Sequence, residues 1–175
     1  MPQPKDQITG ALNSAIRLEK EGIKTYLDYA RATEDITGKN MFILLARDEV
    51  DHMLILEEQL QNFTSCARWK EMSVKPSTIK KILPKLKDVD NLPRGISGIN
   101  QVEALEMALE SEERARRLYS SLADQIEDKT AKALFLYLAD MERAHWDILN
   151  AQKNSIQETE LWVEIADLNM DQLMS

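Results

Sequence analysis

The chain has two histidines, and each stands three positions after a glutamate: Glu49-Val-Asp-His52 and Glu142-Arg-Ala-His145. On an α-helix three residues amount to a net rotation of about 60° and a rise of about 4.5 Å. A carboxylate and an imidazole at that spacing converge on one point. The same pair on two helices is the ligand pattern of a two-metal carboxylate site inside a four-helix bundle.

The two pairs are 93 positions apart, and the offset reaches well beyond them. Ala11-Leu12 matches Ala104-Leu105, Glu19 matches Glu112, Tyr26 matches Tyr119 and Ala30 matches Ala123. Asp35 matches Asp128, Phe42 matches Phe135, and Leu45-Ala46 matches Leu138-Ala139. Self-similarity without insertion or deletion marks an internal duplication, here of a helical hairpin.

The elements that must position these residues follow from periodicity and punctuation. A first helix is expected from about Gln7 to Ala32 and a second from about Ile36 to Trp69, with Asp35 as N-cap between them. Residues 70–99, with Pro76, Pro84, Pro93, Gly95 and Gly98, read as a long crossover with a short helix around Ser77 to Leu83. A third helix is expected from about Asn100 to Ile126 and a fourth from Lys129 to Lys153. Ser155-Ile-Gln-Glu158 has the form of a capping box and predicts a fifth helix over about 156–173. The expectation is an all-α single domain spanning 1–175: hairpin 7–69, crossover 70–99, hairpin 100–153 and a C-terminal helix. Short turn, long crossover, short turn is the topology of ferritin-like four-helix bundles. In an antiparallel hairpin, residues equidistant from the turn share a height. Glu19 and Glu49 are centred on residue 34, and Glu112 and Glu142 on residue 127, both within predicted turns. All four glutamates therefore lie at one level.

They also lie on apolar stripes. The second helix reads Phe42, Leu45, Glu49, His52, Leu56, and the fourth repeats it as Phe135, Leu138, Glu142, His145, Leu149. Glu19 and Glu112 occupy the corresponding seams, with Leu12, Ala15 and Tyr26, and with Leu105, Ala108 and Tyr119. Burying a bare carboxylate costs several kcal/mol, and four together repel one another. No Lys or Arg lies on these stripes. Two divalent cations would cancel four carboxylates and leave two neutral imidazoles as further ligands. Mixed carboxylate and imidazole donors suit iron or manganese, and also zinc. Two readings stand for Tyr26 and Tyr119: core packing with a hydrogen-bonded hydroxyl, or contact with a bridging carboxylate that orients it. Asp48, one turn before His52, is a weak candidate to orient that imidazole, since its counterpart is Met141. Gly22 and Ala115 are small seam residues that leave room for a small oxidant.

Bulk properties narrow the classes. In 175 residues, 43% are hydrophobic and 30% charged, with five Gly and five Pro, as in helical globular proteins. A net charge of −8 argues against nucleic acid or an anionic membrane surface as partner. No apolar run approaches a membrane span, and the polar start has no signal-peptide core. The single Cys66 excludes an internal disulfide and a four-cysteine iron centre within the chain, so a cytoplasmic location is expected.

Glu19 with Tyr26, Glu49-x-x-His52, Glu112 with Tyr119 and Glu142-x-x-His145 together resemble the rubrerythrin branch of the ferritin-like superfamily, over roughly residues 8–153. The resemblance implies a di-iron centre in which Glu49 and Glu142 bridge, Glu19 and Glu112 are terminal, and each metal takes one histidine. It implies an oxidoreductase that oxidises an Fe(II) pair with hydrogen peroxide or dioxygen, supplied by a separate electron donor protein. It also implies a homo-oligomer, a dimer first. Two departures stand out. Rubrerythrins usually carry a further carboxylate where this chain has Ala115, and a rubredoxin-like domain that one cysteine cannot build. Two rival functions remain open: a ferroxidase that hands iron on, and a non-catalytic bundle held together by its metals.

Overall fold

The computed structural model describes residues 5–70 and 101–163, which form four α-helices: α1 (Lys5–Ala32), α2 (Ile36–Cys66), α3 (Gln101–Gln125) and α4 (Lys129–Thr159). No strand occurs among the described residues. The helices pair as two antiparallel hairpins, α1 with α2 and α3 with α4. The expected crossover, with its short helix at 77–83, lies outside the described residues.

Both hairpin turns are closed by the same chemistry. Asp35 adopts extended backbone (φ −65°, ψ 133°), and its Oδ1 accepts hydrogen bonds from the amides of Thr37 (2.8 Å) and Gly38 (3.1 Å). Asp128 does the same for Thr130 (2.9 Å) and Ala131 (3.0 Å). Each cap satisfies amides that the first helical turn leaves unpaired, worth about 1 kcal/mol apiece.

The core has two apolar clusters with the polar layer between them. One gathers Tyr26, Phe42, Leu45, Leu105, Ala108 and Leu149; the other gathers Tyr119, Phe135, Leu138, Leu12, Ala15 and Leu56. Adding or subtracting 93 converts one set into the other, so an approximate two-fold relates the two ends of the bundle.

Two predicted boundaries are corrected. Helix α2 stops at Cys66 rather than Trp69, because Ala67 turns left-handed (φ 54°) and donates its amide to Phe63 O at 2.9 Å. Residues 67–70 then fold back. Lys70 N donates to Gln59 Oε1 (3.0 Å) and Gln59 Nε2 donates to Lys70 O (2.9 Å), while the Trp69 ring packs on Phe63 and Phe135. The second correction concerns Ser155. It opens no fifth helix: α4 runs unbroken through Ser155-Ile-Gln-Glu158 to Thr159, and Glu160 turns left-handed (φ 62°). The buried Gln152 and Ile156 extend the inward stripe of Leu149, and Ser155 Oγ donates forward to Leu161 O at 2.9 Å instead of capping. The rest of the predicted fifth helix, from residue 164, lies outside the described residues.

This second ending copies the first at the same offset. Val163 N donates to Gln152 Oε1 (3.0 Å), and Trp162 packs edge-on against Phe42 at 6.0 Å. Thus each hairpin ends by sending a tryptophan onto a phenylalanine of the other. Trp162 lies so close to α2 that a Cβ on Gly38 would sit 2.5 Å from its ring. Gly38→Ala is therefore expected to lower stability despite a helix-propensity gain of about 1 kcal/mol. Overpacking against a rigid ring costs up to about 3 kcal/mol, for a net loss near 2 kcal/mol. Thermal unfolding checks it: a variant melting with the parent would show that the ring can move aside.

Candidate metal centre

Glu19 on α1, Glu49 and His52 on α2, Glu112 on α3, and Glu142 and His145 on α4 meet midway along the bundle. Each is no more than 3% exposed. The i,i+3 spacing does what the sequence reading asked of it: His52 Nδ1 lies 3.0 Å from Glu49 Oε2, and His145 Nδ1 lies 3.6 Å from Glu142 Oε2. The hairpins then interlock. His52 Nδ1 is 3.3 Å from Glu142 Oε1, and His145 Nδ1 is 3.3 Å from Glu49 Oε1. The imidazoles stack at 5.6 Å between centroids.

The six donors fall into two overlapping groups. Glu19, Glu49, His52 and Glu142 each offer an atom within 4.8 Å of the others, and so do Glu49, Glu112, Glu142 and His145. Glu49 and Glu142 belong to both groups. A carboxylate has two oxygens and can serve two cations at once, whereas Glu19 and Glu112 each serve one group.

A test of fit comes from atoms left without hydrogen bonds. Glu112 Oε2, Glu142 Oε1 and His145 Nδ1 are buried without a hydrogen-bond partner, although ligand atoms surround them at 3.3–3.6 Å. They approach one another at contact distance without the alignment of a hydrogen bond. Buried polar atoms without a hydrogen-bond partner, set among carboxylate oxygens and imidazole nitrogens, are ones a cation would satisfy. Donor chemistry and charge agree with two divalent ions here, of a type the ligand set alone does not select.

The electrostatics show what the cluster needs when protons are the only counter-charge. Burial pushes the Glu19 carboxyl up to about 10; His52 opposes this, and the charges of Glu49 and Glu142 add to it. Burial likewise raises Glu112 well above the carboxylate range, reinforced by Glu142. For Glu49 burial also acts upward, but His145 and then His52 hold it well below its ordinary value. Glu142 is lowered against burial and the Glu49 charge by the same two imidazoles. Both imidazoles are raised well above 6.5 against the effect of burial, His52 by Glu142, Glu19 and Glu49, and His145 chiefly by Glu49. The pattern is two protonated carboxyls, two carboxylates and two imidazoliums. Four protons stand where two divalent cations would.

The tyrosines match the packing reading, each with a hydrogen-bonded hydroxyl. They are buried and stacked on Phe42 and Phe135, at 6.2 Å in each case. Their hydroxyls donate to carboxylates across the hairpin boundary, Tyr26 to Glu112 and Tyr119 to Glu19. The partner is the unshared carboxylate of the opposite hairpin, which corrects the expectation of contact with a shared one.

Asp48 is also reassigned. Its carboxylate lies 3.3 Å from Nε2 of His145 on the other hairpin, not against His52. Gly22 lies beside Glu49, where a Cβ would meet Glu49 Cγ at an ordinary 3.5 Å. Sequence reasoning missed the Gln59 and Gln152 clamps that close the hairpin ends. The signal was present, because the 93-residue offset relates Gln59 to Gln152 and Trp69 to Trp162.

The Rubrerythrin family matches residues 103–170, which contain Glu112, Tyr119, Glu142 and His145, and supports a rubrerythrin-like, ferritin-like family member. A hypothetical protein from Pyrococcus furiosus has a similar solved structure, with a TM-score of 0.65 and 21% identity, covering 88% of this chain and 92% of that one. That likeness concerns the fold. No curated protein matches the chain. No described helix is long and apolar enough to cross a membrane.

Proposed function

We propose that this rubrerythrin-like member of the ferritin-like superfamily is a di-iron oxidoreductase that uses hydrogen peroxide or dioxygen to oxidise a bound Fe(II) pair. The observation that carries the proposal is the overlap of two four-residue donor groups through Glu49 and Glu142. Glu19 and His52 would complete one metal position, and Glu112 and His145 the other. Two iron ions so held supply two electrons, the number needed to reduce hydrogen peroxide to water.

The remaining roles belong to the chain. Burial of the donors keeps bulk water from the cluster, and the apolar layers above and below hold its shape. Tyr26 and Tyr119 anchor the unshared carboxylates from the opposite hairpin, so neither Glu112 nor Glu19 can turn without losing a hydrogen bond. Re-reduction requires a separate electron donor protein, and the setting proposed is the cytoplasm, with the chain as a homo-oligomer.

The test is anaerobic Fe(II) loading of the full chain, followed by stoichiometric peroxide with iron oxidation state monitored. Two irons per chain, both oxidised by one equivalent of peroxide, are expected. Continued uptake beyond two would favour iron handling. Two metals that never change oxidation state would reduce the centre to a structural one.

A further inference from the structure

Asp48 is a buried carboxylate that donates no ligand atom to either group. It sits on α2 beside the shared Glu49, yet its Oδ2 lies 3.3 Å from Nε2 of His145 on α4. Burying such a charge is costly unless it is paired, and its partner here is that imidazole. A cation taken by Nδ1 displaces that atom's proton, while Nε2–H stays donated to Asp48 and fixes Nδ1 as the nitrogen that presents a lone pair. That atom faces Glu49 Oε1 at 3.3 Å and Glu112 Oε2 and Glu142 Oε2 at 3.6 Å, without a hydrogen-bond partner of its own.

The tyrosine ties, the glutamine clamps and the tryptophan–phenylalanine contacts all recur at the 93-residue offset. The Asp48 contact does not, because residue 141 is Met. A centre built by duplication is therefore symmetric in its ligands and asymmetric in what holds its imidazoles.

We propose that Asp48 is a positioning residue that makes the two metal positions unequal, so that the position of Glu112 and His145 binds a divalent cation more tightly and fills first. An imidazole hydrogen-bonded to a carboxylate through its far nitrogen is fixed in orientation and tautomer and is a stronger donor through the near one. His52 has no carboxylate from the position equivalent to Asp48. The proposal rests on the metal-centre reading above.

The test is a Co(II) titration of the chelator-stripped full chain, followed by calorimetry and visible absorption. The parent is expected to bind in two phases of one ion each. Asp48→Asn should weaken the first phase by about 10–100-fold, the usual effect of losing such a partner, and leave the second in place. Met141→Asp should tighten the second phase and draw the two together, and it carries the test alone if Asp48→Asn fails to fold. Two ions bound with both phases unmoved in either variant, or weakened alike by Asp48→Asn, would overturn the inference and leave the metal centre standing. A parent that binds no cobalt would overturn the metal centre, and the inference with it.

Discussion

Glu49→Gln should empty both metal positions, while Glu19→Gln should empty one. Glu49 contributes to both donor groups and Glu19 to a single one. The amide keeps the shape of the side chain but removes a charge that both cations need, and it leaves His145 Nδ1 facing a weaker donor at 3.3 Å. Loss of an outer partner alone costs about 10–100-fold in affinity, so loss of a shared ligand should exceed about 100-fold at each position. Metal content after Fe(II) or Mn(II) loading and desalting should fall from two per chain to below one for Glu49→Gln, and to one for Glu19→Gln. Equal losses from the two variants would mean that the carboxylates are not divided into shared and unshared roles. Glu142→Gln should behave as Glu49→Gln does, through the same two-fold relation.

Metal should stabilise the protein strongly, and more so as pH rises. In the stripped chain Glu19, Glu112, His52 and His145 all hold protons above their ordinary values. A raised folded-state pKa contributes stability that is complete below the unfolded value and lost as pH climbs through the folded one. For Glu19 that window runs from 4.5 to about 10, and both imidazoles add to the same trend above 6.5. The stripped protein should therefore melt lower at pH 9 than at pH 6. Metal binding follows the opposite slope, because each ion displaces protons that compete less at high pH. At about 1,000 times its dissociation constant, one ion adds about 4 kcal/mol. At about 2–4 °C per kcal/mol, this separates the melting temperatures by roughly 8–16 °C. Paired thermal melts with Mn(II) or with chelator at pH 6 and pH 9 should show a wider gap at the higher pH. Metal addition in weak buffer should also release protons, up to four for two ions. A gap that narrows with pH, or binding without proton release, would contradict the charge pattern assigned to the cluster.

Local pattern carried much of this architecture in the sequence. Hairpin turns were legible because Asp35 and Asp128 are caps, and a cap is a short-range arrangement of a side chain and its following amides. The six candidate ligands were legible because i,i+3 spacing puts two side chains on one helix face and the duplication repeats it at a common height. The capping box at Ser155 misled for the same reason: it is a local pattern with meaning only where the backbone leaves the helix. Burial of Gln152 and Ile156 instead carries α4 onward, and that is a property of the packed bundle.

From the sequence alone came the all-α architecture, the doubled hairpin and a layer of four carboxylates and two imidazoles inside an apolar seam. Helical periodicity decides these, and it needs no partner helix. Only the tertiary structure decided how the hairpins face each other. That packing sends Tyr26 to Glu112 and Tyr119 to Glu19, lays Trp69 and Trp162 on opposite phenylalanines, and turns Asp48 away from His52 towards His145. Each of these contacts joins residues from different hairpins. Their registry is set by helix packing across the bundle axis, which the period of any single helix leaves undetermined.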